Sequence, residues 1–306
     1  MKKIILSSSF ILFCLLAVGV RIFELLVMID KQSGFYLNKF NIISIILAII
    51  SLIVCVNFGI GAVVSLKGES KDRRIPKNSI AIGISSFLMA LGIFYDTGKI
   101  ALNTIEYSLG NYIVFGLSFL SALTFIIYGV CYFAGKNSPK TISIIPIIWS
   151  VGRLIVNYTQ FNGIALASEN IVDLITIAFF MVFWLYHSKL LVELNTEKTL
   201  TRIFIFGSCA TALGFVSTFP RFFVDFGLRV DFISTSPMVS FSNLTAAIYA
   251  VCFMGVLYLQ TVEKSVISTP IETSEDMDVS VDSHPQFTVE VIDDFTVEEN
   301  KAEEDN

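Results

Sequence analysis

The chain has 306 residues, of which 54% are hydrophobic and 15% charged, and its mean hydropathy is +0.74. Its net charge of -5 divides into +7 over residues 1–262 and -12 over residues 263–306, where fourteen acids from Glu263 to Asp305 meet only Lys264 and Lys301. This excludes an ordinary soluble domain and leaves no room for a separate soluble catalytic domain. A membrane body with an acidic tail is what remains.

Eight apolar segments follow one another, at roughly 4–29, 40–65, 79–98, 111–134, 141–159, 169–190, 200–221 and 239–261. Each approaches the roughly 20 residues that a helix needs to cross a hydrocarbon core of about 30 Å. They are rich in Phe, Ile and Leu and show no alternating strand pattern, so the expected fold is all-α. It is a polytopic bundle of eight transmembrane helices over 1–262, followed by a disordered cytoplasmic tail over 263–306.

The first segment has a second reading. Met1-Lys2-Lys3, an apolar run and Ala17-Val18-Gly19 resemble a signal peptide with a weak cleavage site. The apolar pattern resumes at Ile22 and continues to Ile29, which favours an uncleaved helix. Cleavage would leave seven spans and an outside N-terminus.

The second segment contains Gly59-Ile60-Gly61, a packing site within an apolar helix. After it comes the basic connection Lys67–Lys77, whose charge is most simply an orientation determinant. One set of connections holds twelve basic residues: Lys2, Lys3, Lys67, Lys71, Arg73, Arg74, Lys77, Lys136, Lys140, Lys189, Lys198 and Arg202. The opposite set holds five: Lys31, Lys39, Lys99, Arg221 and Arg229. The positive-inside rule then puts both termini in the cytoplasm, in a multi-pass protein of the cell membrane.

Even segments begin near Asn41, Asn111, Asn170 and Asn243, and odd ones carry Gly19, Gly92, Gly152 and Gly214. This spacing is compatible with four repeated helical hairpins, or with chance alignment of apolar helices. Small residues recur four apart, at Ser86/Ala90, Ser118/Ala122, Gly207/Thr211 and Ala210/Gly214. In lipid such pairs allow close backbone approach, so they read as bundle packing.

Ionisable residues inside apolar segments mark the candidate site, since each costs about 2.5–3.5 kcal/mol at the bilayer centre. Glu24, Asp96, Arg153, Asp173 and Arg221 all fall within about two helical turns of the same, outer boundary. Trp149, Arg153 and Asn157 form one stripe on the fifth helix, and Glu169, Asp173 and Thr176 a matching one on the sixth. Antiparallel neighbours joined by a short loop would bring Arg153 and Asp173 level. The pair is then either a register-fixing ion pair or part of an outward-facing polar cavity for a solute or ion. Pro146, a turn deeper, is expected to kink the fifth helix and free a carbonyl.

The stretch Pro146-x2-Trp149-x3-Arg153, then Ser168-Glu169-Asn170-x2-Asp173 and Phe183, resembles a pattern in multi-pass membrane proteins of Gram-positive anaerobic bacteria. The resemblance covers about 40 residues. It implies the membrane class, and no activity goes with it.

No HExxH, Walker or Rossmann motif is present, nor the Gly-x-Gly-Asp context of an intramembrane aspartyl protease. Cys14, Cys55, Cys131, Cys209 and Cys252 lie in apolar segments with no CxxC pair, and His187 and His284 are the only histidines. No metal site, cofactor or catalytic residue is expected, nor nucleic-acid binding. In the tail, Phe-Thr-Val-Glu occurs at Phe287–Glu290 and Phe295–Glu298, so it is either a solvated segment or a dock for a cytoplasmic protein.

Three functions are weighed. The first is a small-solute permease whose outward polar site holds Arg153, Asp173, Glu169, Trp149, Asn157, Asp96 and Glu24. The second is a non-enzymatic membrane sensor or scaffold that recruits a partner through the tail. The third, an enzyme acting on lipid or an isoprenoid, has little residue support. Beyond the lipid bilayer itself, the expected partners are a small solute or ion and that cytoplasmic protein.

Overall fold

The computed structural model describes residues 2–28, 41–66, 78–103, 109–161, 168–194, 196–224 and 240–267. Side chains near several helix ends, that of Glu169 among them, lie outside this description, as does the stretch 268–306 with its Phe-Thr-Val-Glu repeats.

Every regular element among the described residues is helical. The helices are α1 (Lys2–Phe23), α2 (Asn41–Leu66), α3 (Ile80–Asn103), α4 (Leu109–Phe133), α5 (Ile145–Phe161), α6 (Ser168–Leu191), α7 (Thr196–Phe222) and α8 (Phe241–Ile267). Seven of the helical stretches are long and apolar enough to cross a membrane, and in α2 the described apolar run is Ile49–Gly61. The protein is thus an all-α polytopic membrane bundle. Large apolar side chains such as Leu15, Ile53, Leu91, Phe119 and Ile155 stay exposed on the outside of the bundle, as lipid-facing positions must.

Consecutive helices from α3 to α8 pack pairwise, and α8 returns to α3, so six helices close into a ring. The α1–α2 hairpin packs on this ring at α7. The interior is filled rather than hollow. Phe125 and Tyr128 of α4, Trp149 of α5, Phe183 and Trp184 of α6, and Tyr249 and Phe253 of α8 form one core cluster. Several of these rings meet edge to face, including Phe125 with Trp184 at 5.1 Å between centroids.

Glycines and small residues set the closest seams. A Cβ on Gly59 would lie 2.6 Å from the Ile205 Cα, so α2 and α7 approach there at backbone distance. A Cβ on Gly92 would strike Thr245, and one on Gly214 would meet the carbonyl of Asn243. Ser86, Ala90, Ser118, Ala122, Ala210 and Thr211 are buried, as packing positions should be.

The fifth helix departs from the expected kink. Thr141–Ile144 form a 3-10 turn that passes directly into α5, so Pro146 sits in the first α-helical turn, where its missing N–H costs nothing. The carbonyl of Ile142, which Pro146 cannot bond, accepts the N–H of Ile145 instead. In α1 the helix runs on through a π-helical turn, Glu24–Met28. Phe10 and Phe13 of α1 pack against Phe58 of α2.

Candidate functional site

The up-and-down course of the helices brings the end of α3, the end of α5 and the start of α8 to one end of the ring. There Ser240-Phe241-Ser242-Asn243 opens α8. A helix start leaves its first N–H groups without intrahelical partners. Here a carboxylate from another helix takes them. Asp96 Oδ1 accepts the Phe241 N–H at 2.9 Å, and Asp96 Oδ2 accepts the Ser242 N–H at 2.8 Å. The Ser240 hydroxyl donates to Asp96 Oδ2 at 3.0 Å. A negative charge at the positive end of the α8 dipole is favourable electrostatically as well.

Arg153 of α5 reaches across to the same two serines. Its Nη1 donates to Ser242 Oγ at 2.8 Å and its Nη2 to Ser240 Oγ at 2.6 Å. The two hydroxyls lie 3.0 Å apart. Because Ser240 spends its proton on Asp96, Ser242 is the donor of that pair. The chain of bonds therefore runs from Arg153 through Ser242 and Ser240 to Asp96, in one direction.

Trp149 supports this arrangement from below. The Arg153 guanidinium carbon lies 5.1 Å from the Trp149 ring centroid, a cation–π distance. The Trp149 indole N–H is held at 2.9 Å by Ser118 Oγ of α4. A cavity of about 10 Å³, room for the centre of one water-sized sphere, lies next to the guanidinium. Trp149, Ser150, Arg153, Trp184, Ser242 and Asn243 supply its polar and aromatic lining.

The expected site residues fall into separate groups. Arg153 and Asp96 share the α8 start. Asp173 forms its ion pair with Arg221 of α7, 3.6 Å away, rather than with Arg153. It faces α7, while the Trp149–Arg153 stripe faces the ring interior. Arg153 still feels the charge of Asp173, behind that of Asp96. Glu24 is paired on its own helix with Arg21 at 2.6 Å, both buried. Asn157 is half-buried and takes no part in the Arg153 hydrogen bonds. Glu169 belongs to the first turn of α6, and its side chain lies outside the described residues.

Sequence reasoning missed Ser240, Ser242, Ser118 and Trp184. For the first two a signal existed: a Ser-Phe-Ser-Asn run before an apolar segment is a helix-start pattern. It names a cap and not the distant carboxylate that completes it. His187 was also underread. It is fully buried among Trp184, Phe183, Tyr249 and Phe253, and its Nε2 lies 2.9 Å from the Tyr249 hydroxyl.

No protein-family model matches the chain, and neither a curated protein nor a solved structure shows significant similarity to it.

Proposed function

We propose that this membrane protein is a non-enzymatic, small-solute permease in which the Arg153 cluster is the recognition element. The single observation behind this reading is a cation beside a cavity inside a helical ring, where hydrocarbon or packed side chains would otherwise be favoured. Arg153, Trp149 and Trp184 all line the cavity, so it sits on the inner side of the polar end, while transporter sites lie near the membrane middle. The positive-inside count assigns that polar end to the outside of the cell membrane and both termini to the cytoplasm. The Pro146–Arg153 and Ser168–Asp173 patterns favour a bacterial source.

Reconstituted vesicles test this. Osmotic swelling with a panel of small carboxylates, amino acids and inorganic anions should reveal protein-dependent flux, abolished by Arg153→Gln and reduced by Asp173→Asn. Flux that neither substitution alters removes the proposal. Reporter fusions at Arg73/Arg74 should report the cytoplasm.

A second reading, a sensor or scaffold, is favoured by the small volume of the cavity and by the -12 tail. Its test is capture of a cytoplasmic partner by the full chain and loss of that partner when residues 263–306 are removed.

A further inference from the structure

The cavity beside Arg153 has an unusual donor surplus. Two buried N–H groups that line its residues have no hydrogen-bond partner: the indole Nε1 of Trp184 and the amide Nδ2 of Asn243, whose side chains are 0% and 1% exposed. Leaving such a donor unbonded in a packed interior costs about 1–3 kcal/mol. Neither N–H reaches the oxygen of a nearby hydroxyl as an acceptor. Ser150 Oγ donates to the Pro146 carbonyl at 2.8 Å, and the Ser242 and Ser240 protons are committed toward Asp96. Arg153 brings five N–H donors and no acceptor, and two of them are used by Ser240 and Ser242.

Charge points the same way. The first turn of α8, which lines the cavity at Ser242, Asn243 and Ala246, adds roughly half a positive charge to that of Arg153. Asp96 accepts the first N–H groups of α8 and so offsets that half charge, which leaves the Arg153 guanidinium, joined to Asp96 only through the two serines, as the positive group of the cavity lining. Arg153, Asn243 and Trp184 line this space together with Trp149, Ser150 and Ser242, and the rest of the wall is Ile177, Phe180 and Ala246.

We infer that the cavity is a binding site for one small monovalent anion of halide size, held by Arg153, Asn243 and Trp184. The inference rests on the reading of the Arg153 cluster as a solute site and names the class of solute. The centre of a water-sized sphere can move over about 10 Å³ here, so the space is somewhat wider than one water and suits a halide better than a polyatomic anion such as sulfate.

The chain supplies its own reporter. Its two tryptophans, Trp149 and Trp184, both line the cavity and are 3% and 0% exposed. Bromide quenches indole fluorescence on contact, and chloride does so very weakly. In purified full-length protein, at ionic strength held constant with sulfate, bromide should quench saturably, chloride should reverse it, and added sulfate should not. Asn243→Ala should raise the half-saturating bromide concentration about tenfold, since a hydrogen bond to a charged guest is lost. Trp184→Phe removes one donor and leaves Trp149 as reporter, so saturation should shift in the same direction. Linear quenching that chloride does not reverse in the wild-type protein overturns the inference and leaves water as the occupant. That outcome is separable from failure of the permease reading, which is judged by Arg153-dependent flux of any solute in vesicles. Saturable quenching without flux would keep the anion site and make it a sensing site.

Discussion

Arg153 donates its hydrogen bonds to two serine hydroxyls rather than to a carboxylate, and the consequence is a charge held at one remove from its counterion. Asp96 neutralises the α8 start directly and Arg153 only through Ser240 and Ser242. Removing the carboxylate therefore does two things at once: it uncovers two N–H groups and leaves the guanidinium without its nearest opposite charge. Asp96→Ala should lower stability by about 2–4 kcal/mol, and Asp96→Asn, which keeps one acceptor, by less. Thermal unfolding of the detergent-solubilised protein measures this, and equal midpoints for Asp96→Ala and wild type would refute it. Little of this network was legible in the sequence. Arg153 stood out because a cation in an apolar segment is costly. Its partners lie 87 and 89 residues away and are plain serines, which carry no mark of what they bind. Asp173 was placed correctly at the same end of the bundle. The face it presents depends on where α7 packs, and a single helix pattern does not encode that.

At the scale of helices, the seams depend on where a side chain is missing. Gly59 and Gly19 make a matched pair for testing this. Both are helical, but the added methyl of Gly59→Ala would press on the α7 backbone, while at Gly19 nothing lies within 4 Å. Gly19→Ala should hold or raise stability by up to about 1 kcal/mol through helix propensity. Gly59→Ala should lower it, because α2 must retreat from Ile205 and Phe204. Opposite signs in the two melting curves are the expected result, and matching signs would count against backbone-distance packing. Gly59-Ile60-Gly61 was readable as a packing site because two glycines in an apolar helix have few other uses. Pro146 was read as a kink because proline usually breaks a helix interior. That the helix starts at Ile145, sparing it, is decided by the 3-10 turn before it.

For the molecule as a whole, the long apolar runs made the membrane class and the number of helices legible, since bilayer thickness fixes their length. The order in which they surround one another was not. Lipid provides no hydrophobic drive for one helix to choose another, and the choice falls to small residues and buried polar groups scattered over the sequence. The last described helix ends at Ile267, and the acid-rich sequence that follows has no apolar run with which to pack against the bundle. Removing residues 270–306 should therefore leave the unfolding temperature of the bundle unchanged, and a large drop would show that the tail supports the fold.

The ring has a further consequence for how the chain is threaded. Helices α3 and α8 are neighbours although the chain does not join them, and α8 finishes at the end of the bundle where α3 begins. The order α3 to α8 is thus circular in space and linear only by accident of where the backbone is cut. A rearranged gene that fuses the close of α8 to the opening of α3, starts instead at the connection before α5 and omits the α1–α2 hairpin keeps every neighbour within the ring in place and every ring helix pointing the same way.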